Sequence, residues 1–426
     1  MTSLGFLSLL ALAVLGAPLF VIIIGAALLG FYVAEIPLEI LAVEIYRIAD
    51  TPMLIALPLF TLTGYLLAES KTSERLVRVS QALIGWAPGG LSMIGFITCA
   101  LFTAFTGASG VTIVAIGALL YPALQQVGYS QRFSLGLITS SGSLGLLLAP
   151  SLPLILYGII AQQMNIGEPF TLQDLFIAGV LPALLMIMLL ACYSLWANRH
   201  QAIERQKFDL QELKMAFWQA KWEIPLPFII LIGIYSGVLA ISETAAIACL
   251  YVAIVEIFIY KEIKLYCLGD IIQRSMTMVG GIIVILAASL ALTNVIVDAE
   301  IPSLIFDWMQ QHISSKLMFL ILLNIFLLVL GAFLDIFAAI VIIVPLILPI
   351  AVSYGIHPVH LGIIFLANMQ IGYFTPPVGM NLFIASYRFK KPITELYKAS
   401  IPFMLVLMIA VLIITYIPSL SLAFID

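Results

Sequence analysis

Apolar runs long enough to cross a bilayer follow one another along almost the whole chain, and that succession leaves few folds open. A helix needs about 20 residues to span roughly 30 Å of hydrocarbon. Two runs, GGLSMIGFITCALFTAFTGASGVTIVAIGALLYPAL and KLMFLILLNIFLLVLGAFLDIFAAIVIIVPLILPIA, are long enough to enter the bilayer and return. None shows the strand-length alternation of an outer-membrane barrel. The chain is 63% hydrophobic and only 9% charged, with a mean hydropathy of +1.18. These features predict an all-α polytopic membrane protein. The first run has no basic n-region and continues to about residue 33, so it predicts a membrane helix rather than a cleaved signal. The cysteines Cys99, Cys192, Cys249 and Cys267 form no CxxC and no metal spacing, and are expected as small buried apolar residues.

The net charge of -4 says less than where the charges lie. Spans are predicted near 4–32, 52–70, 131–160, 175–197, 225–240, 243–260, 272–296, 358–387 and 400–422, with re-entrant hairpins over about 88–125 and 316–352. With the N-terminus inside, 16 of the 18 Lys and Arg fall on the inner side, and only Arg47 and Lys316 fall outside. That bias is the positive-inside signature, and it collapses if either hairpin crosses once. Two polar stretches, 36–50 and 198–223, are expected to lie along the membrane surface, with Leu210, Leu213, Phe217 and Trp218 on one face of the second.

The stretch IGYFTPPVGMN, Ile371 to Asn381, carries two prolines and two glycines inside a predicted span. Proline removes a helical hydrogen bond, and in lipid the freed groups find no water. The break must therefore be covered by protein or face a polar cavity. A shift of 227 residues lays Pro122 on Pro349, Gly128 on Gly355, Gly145 on Gly372 and Pro150 on Pro377. The partner break is LGLLLAPSLPL, preceded by Thr139 to Ser143. Each half then reads hairpin, short glycine turn, broken helix. Five spans separate the hairpins, so the halves are inverted. Inverted repeats with paired broken helices point to a secondary transporter with its site at mid-membrane. Carbonyls and hydroxyls at such breaks suit a hard cation such as Na⁺, and helix N-termini suit an anion.

Asp335, at the second hairpin tip, is the carboxylate that most needs an explanation, because a charge at depth costs about 2.5–3.5 kcal/mol. A cation ligand, a proton-linked carboxyl and a helix cap all fit. Thr106 and Ser109 at the first tip are weaker candidates, since membrane hydroxyls often only bond back to the preceding turn. At least one of Thr139, Ser140, Ser141 and Ser143 is expected to face the site. Thr375 and Asn381 offer oxygens at the second break. Gly142, Gly145, Gly372, Pro150, Pro376 and Pro377 shape the backbone. Glu243 reads as a helix-start acid; Glu256, Asn294 and Asp298 read as interfacial; the four histidines read as structural. No basic residue falls deep in a span. There is no P-loop, nucleophile elbow or HExxH, so neither ATP hydrolysis nor enzyme chemistry is expected.

The segments LPLFTLTGYLLAES, GASGVTIVAIGALLYPAL, SSGSLGLLLAPSLPLILYG and SETAAIACLYV, and the run from Phe333 to Ser386 with GIHPVHLG and TPPVGMNLF, resemble the large membrane subunit of tripartite ATP-independent periplasmic (TRAP) transporters. The resemblance implies an elevator-type fold with a transport domain and a scaffold. It implies a bacterial inner-membrane location, a separate small membrane subunit, a periplasmic substrate-binding protein and a Na⁺ gradient driving uptake of an organic acid, sialic acid or C4-dicarboxylate. No nucleic acid is implied. It divides the chain into scaffold (1–70), first transport half (71–160), scaffold (161–297), second transport half (298–388) and a C-terminal scaffold helix (389–426). Residues and resemblance together assign Ser109, Ser140, Ser141, Gly142, Asp335, Gly372 and Thr375 to sodium, and Thr106, Ser143, Pro150, Pro377 and Asn381 to substrate. The first tip reads TGAS where the family often has SGSS, and the first break LAPS where IPPS is familiar. A stand-alone ion-coupled carrier of the same superfamily, an anion channel and a permease for an ATP-driven importer are the competing readings.

Overall fold

The computed structural model describes residues 7–9, 11, 12, 15, 17–35, 37, 39, 42, 43, 46, 51–87, 89–200, 208–236, 238–300, 304, 312, 313 and 315–425, without the side chains at 52, 53 and 297. The predicted surface segment 36–50, with Arg47, lies mostly outside these residues, as do residues 201–207, with Arg205 and Lys207, and the start of the first predicted span. Among the described residues every regular element is helical, and eight helices are long and apolar enough to cross a membrane. The chain is a polytopic membrane protein.

Helices α1 (Leu19–Val33), α2 (Ala56–Glu69) and the short α3 (Thr72–Ile84) lead into the first hairpin. Its arms are α4 (Gly90–Thr106) and α5 (Ser109–Gln126). They reverse at Gly107, whose φ of +65° is left-handed and favours glycine. The first broken helix follows as α6 (Gln131–Ser141), a 3₁₀ turn (Leu144–Leu147) and α7 (Leu152–Met164). Then come α8 (Leu172–Ala197), α9 (Leu210–Gln219), α10 (Pro225–Tyr235), α11 (Ile241–Ala253), which runs on as a π-helical turn to Ile259, and α12 (Leu265–Asp298). The second hairpin is α13 (Lys316–Phe333) and α14 (Ile336–Ser353). The second broken helix is α15 (Pro358–Gly372) and α16 (Met380–Phe389), and α17 (Ile393–Tyr416) and α18 (Ser419–Leu422) close the chain.

Side chains set several of these starts. Ser130 accepts from the Phe133 N–H, Ser315 from Met318 and Asp335 from Phe337. Thr171 and Asp174 form a reciprocal capping box at α8. The repeat read from prolines and glycines is also a repeat of elements. Both ends of α14 lie 227 residues beyond those of α5, and α15 starts 227 residues after α6. The peptide bonds before Pro150 and Pro377 are both cis. Ser143 donates to the carbonyl of Gln370, its own repeat mate, at 3.0 Å. Two repeat-related residues touch only where the pseudo-two-fold axis passes, so the crossing of the broken helices lies on that axis.

Packing divides the chain somewhat differently from the sequence. One group joins α1, α2, α10, α11 and α12. The hairpins and broken helices form the other, and α8 and α17, placed in the scaffold by sequence, pack against the broken helices instead. The physical reason is coverage: a broken helix has unpaired backbone groups that lipid cannot satisfy, so it needs protein neighbours on its flanks. The surface helix α3 was not anticipated within the inner segment. It packs on the first hairpin and on α9, where Val79 meets Ala216 and Ala220. The small face of α9 is thus buried, while Leu210, Met215, Phe217 and Trp218 stay exposed, as suits a helix lying at the lipid surface. Two of the cysteines also depart from expectation. Cys99 and Cys249 are buried, but Cys192 is exposed and Cys267 partly so. On α8 a thiol can face lipid as readily as core.

Candidate functional site

The breaks are tolerated because the hairpins and the broken helices themselves supply the missing partners. The Gly379 N–H donates to the Ala332 carbonyl at 3.0 Å, and the Asn381 N–H to the Tyr373 carbonyl at 2.8 Å. At the first break the Gly142 carbonyl accepts the Thr103 hydroxyl at 2.8 Å, and Thr103 is 2.6 Å from the Thr112 hydroxyl. Backbones approach closely at related points. A Cβ on Gly145 would meet the Ala100 carbonyl oxygen at 2.1 Å, and one on Gly372 would meet Gly331 backbone at 2.5 Å.

Around the first break the predicted residues come together. Ser109 donates to Asn381 Oδ1 at 2.7 Å, and Asn381 Nδ2 reaches the Thr139 carbonyl at 3.4 Å. The first hairpin tip is therefore tied to the second broken helix, a contact between the two halves. A Cβ on Gly142 would stand 3.3 Å from the Ser109 carbonyl oxygen. Thr139, Ser140 and Ser141 are fully buried and donate back to Leu135, Gly136 and Ile138. Their protons are spent on their own helix, which leaves oxygen lone pairs as cation ligands. Thr375 does the same toward Ile371 at 2.9 Å, and Thr106 reaches the Ala108 carbonyl at 3.5 Å.

A cavity of about 530 Å³ opens between the two groups of helices. The first tip (Gly107 to Val111), Asp335, Tyr373 and Ile384 form one wall, and Tyr65, Glu69, Arg274 and Met278 form the other. Asp335 and Ser109 line it; Thr106, Ser143, Pro150, Pro377 and Asn381 do not. Pro377 instead presents its carbonyl to the Tyr397 hydroxyl. Asp335 caps α14: one carboxylate oxygen accepts the Phe337 N–H at 3.0 Å and the other the Tyr373 hydroxyl at 2.8 Å. The Tyr373 oxygen also accepts the Ile336 N–H at 3.0 Å. Capping and an ion role are compatible, since a carboxylate oxygen accepts more than one partner.

Arg274 brings a basic group to the cavity from the end of a span. It lies at the start of a predicted span, yet it lines the cavity, donating to Glu69 at 2.8 Å and Asp270 at 3.4 Å. The Arg274 and Glu69 side chains are 55% and 41% exposed, and such a pair is worth about 0.2–1 kcal/mol. A second charged cluster behaves differently. Arg75 on α3 is 11% exposed and bonds Glu223 and Glu262, with Glu256 3.7 Å away. Glu256, read as interfacial, is fully buried on the π-turn and accepts from Thr72. Burial pushes Glu223 above the usual carboxylate range, against the pull of Arg75 and Tyr260. Burial also works to raise Glu262, but hydrogen bonds from Arg75 and the Lys71 N–H hold it low. Glu243 caps α11 through the Ala240 N–H, as expected. His360 is buried against the Thr415 carbonyl.

The chain matches the model of the family described as tripartite ATP-independent periplasmic transporter, DctM component, over residues 6–420. It is 33% identical to the C4-dicarboxylate TRAP transporter large permease of Rhodobacter capsulatus, covering 97% of this chain and 96% of that protein. It is also 33% identical to the isethionate TRAP transporter permease DctMQ of Oleidesulfovibrio alaskensis, covering 96% of this chain but only 64% of that longer protein. Among solved structures, the Alcanivorax borkumensis YdaH transporter superposes with a TM-score of 0.63 over 90% of this chain and 88% of that one, at 13% identity. A likeness at that identity speaks for the fold alone.

Proposed function

The chain belongs to the tripartite ATP-independent periplasmic transporter family as its DctM component, the large permease, and from that premise we propose that it carries a small organic acid anion inward with Na⁺. The cavity between the two groups of helices carries the reading, with Asp335 and the first hairpin tip on one wall and Arg274 on the other. Glu69 already pairs with Arg274, so among the described residues lining the cavity no basic side chain is left to pair with Asp335. An anion entering beside it needs a cation, and Na⁺ bound among Asp335 and the nearby carbonyls and hydroxyls supplies one. The first ion position is Ser109, Ser140, Ser141 and Gly142; the second is Asp335, Gly372 and Thr375. The anion lies between them, near the Ser109–Asn381 bond, and one group of helices slides against the other to turn the cavity outward. A C4-dicarboxylate leads as substrate because the Rhodobacter relative is named for it, with sialic acid the alternative to test. The setting is the bacterial inner membrane, with a separate small membrane subunit and a periplasmic binding protein that delivers the anion.

The test is uptake into proteoliposomes carrying this chain with its small subunit, under an inward Na⁺ gradient. Labelled C4-dicarboxylate and sialic acid are each supplied with and without binding protein. Uptake that needs both Na⁺ and the binding protein supports the proposal. Uptake indifferent to the binding protein makes this a stand-alone carrier, and uptake indifferent to Na⁺ removes the sodium sites.

A further inference from the structure

We propose that Arg274 is the carboxylate-binding residue at the inner mouth of the cavity, and that Glu69 competes with the transported anion for it. The inference rests on the reading of the chain as an organic-anion carrier. Arg274 is the one basic residue among the described residues lining the cavity. Its guanidinium carries five N–H donors, and its contacts to Glu69 and Asp270 leave others free for a ligand. The planar fork matches a carboxylate in two parallel hydrogen bonds, a geometry lysine lacks.

Position supports the assignment. Tyr65 and Glu69 stand one turn apart on α2, and Arg274 and Met278 one turn apart on α12. Tyr65 touches Met278 at 3.8 Å and Glu69 holds Arg274 at 2.8 Å, so the pairs are successive rungs of one antiparallel seam. Glu69 is followed at once by the basic segment Lys71, Arg75 and Arg78, which fixes this rung on the inner side. An anion leaving the hairpin tips passes the Tyr65–Met278 rung and then reaches Arg274. The ion pair there is half exposed and weak, so a substrate carboxylate can displace Glu69. Return of Glu69 to the guanidinium then releases the anion inward. Arg75, buried among three carboxylates, has no such freedom.

The experiment compares wild type, R274K, R274Q and E69Q in the complete transporter, in proteoliposomes of defined orientation. Labelled C4-dicarboxylate exchange is measured with unlabelled anion varied at the inner or the outer face. R274Q is expected to raise the inner half-saturation concentration about ten-fold or more, the loss of a charge-assisted contact, and to leave the outer value and Na⁺ activation unchanged. R274K should fall between. E69Q should lower the inner half-saturation concentration several-fold and slow net uptake. Wild-type inner values in both R274Q and E69Q overturn the inference while wild-type transport stands. If R274Q fails to assemble, an unchanged inner value in E69Q overturns it alone. A wild-type complex that moves no carboxylate overturns the function proposal, and this inference with it.

Discussion

At the scale of single residues, the carboxylate that stands out most in the sequence is the one with two duties. Asp335 is a lone charge in an apolar run, and it is the N-cap of α14. The duties separate by substitution. Asp335→Asn keeps a good cap and removes the charge, so we expect thermal stability within a few tenths of a kcal/mol of wild type and a weakened Na⁺ dependence of uptake. Asp335→Ala loses both and should cost about 1 kcal/mol more in stability. Unchanged Na⁺ activation in the asparagine variant would take Asp335 out of the ion site. Tyr373 is not legible from sequence, although it lies in the stretch IGYFTPPVGMN. Its hydroxyl matters only because the fold brings it 2.8 Å from a residue 38 positions away. Arg274 escapes a sequence reading for the opposite reason: at a span end it reads as an ordinary positive-inside charge, and nothing local says that a cavity reaches it.

At the scale of elements, prolines and glycines at a fixed offset are enough to locate both hairpins and both breaks, because those residues dictate backbone shape. Gly372 shows why. Its Cα faces Gly331, so Gly372→Ala sets a methyl against backbone at 2.5 Å. We expect about 1–3 kcal/mol of overpacking and loss of transport. Gly269, where a Cβ would have no neighbour within 4 Å, is the control: Gly269→Ala should stabilise α12 by about 0.5–1 kcal/mol. A Gly372→Ala protein as stable and active as wild type would refute the close approach. The inner surface is far less legible, since α3 has neither span length nor a break, and its partners come from residues 212, 223, 256 and 262. Arg75→Gln should cost about 3–5 kcal/mol, the penalty for leaving buried carboxylates unpaired. The same cluster gives a pH signature. Glu223 is raised on folding, so its contribution is complete below the ordinary value of 4.5 and is lost as pH rises through the folded value. Glu262 is lowered and acts oppositely, contributing above 4.5 and losing that as pH falls through its folded value. In Glu223→Gln the first contribution disappears. The melting temperature of wild type minus that of the variant should fall as pH rises from about 4 to 8, and a constant difference would contradict the raised Glu223.

At the scale of the whole molecule, the inverted repeat constrains motion as well as shape. The first tip, from Gly107 to Gly110, walls a cavity on the Glu69–Arg274 side. Its repeat mates, Leu334 to Phe337, hold the corresponding place in the opposite half. Asp335 and Phe337 of that second tip line the same cavity, so the two halves meet at one opening. The proposed transport motion is a slide of the hairpins and broken helices, with α8 and α17 packed on them, along the seam of α2 and α12. The two groups meet through few elements, chiefly α2 on α4 and α12 on α14. A covalent bridge between them is therefore the decisive test. Ala68 on α2 and Ile384 on α16 line opposite walls of the cavity. With the accessible Cys192 and Cys267 replaced by serine, Ala68→Cys and Ile384→Cys joined by a short thiol cross-linker should stop Na⁺-driven uptake, and a cleavable linker should restore it on reduction. Each single cysteine treated alike controls for blockage of the cavity. Undiminished uptake in the bridged protein would mean that the walls do not move apart during transport, and the anion would then have to pass through a cavity gated by local motion of the hairpin tips.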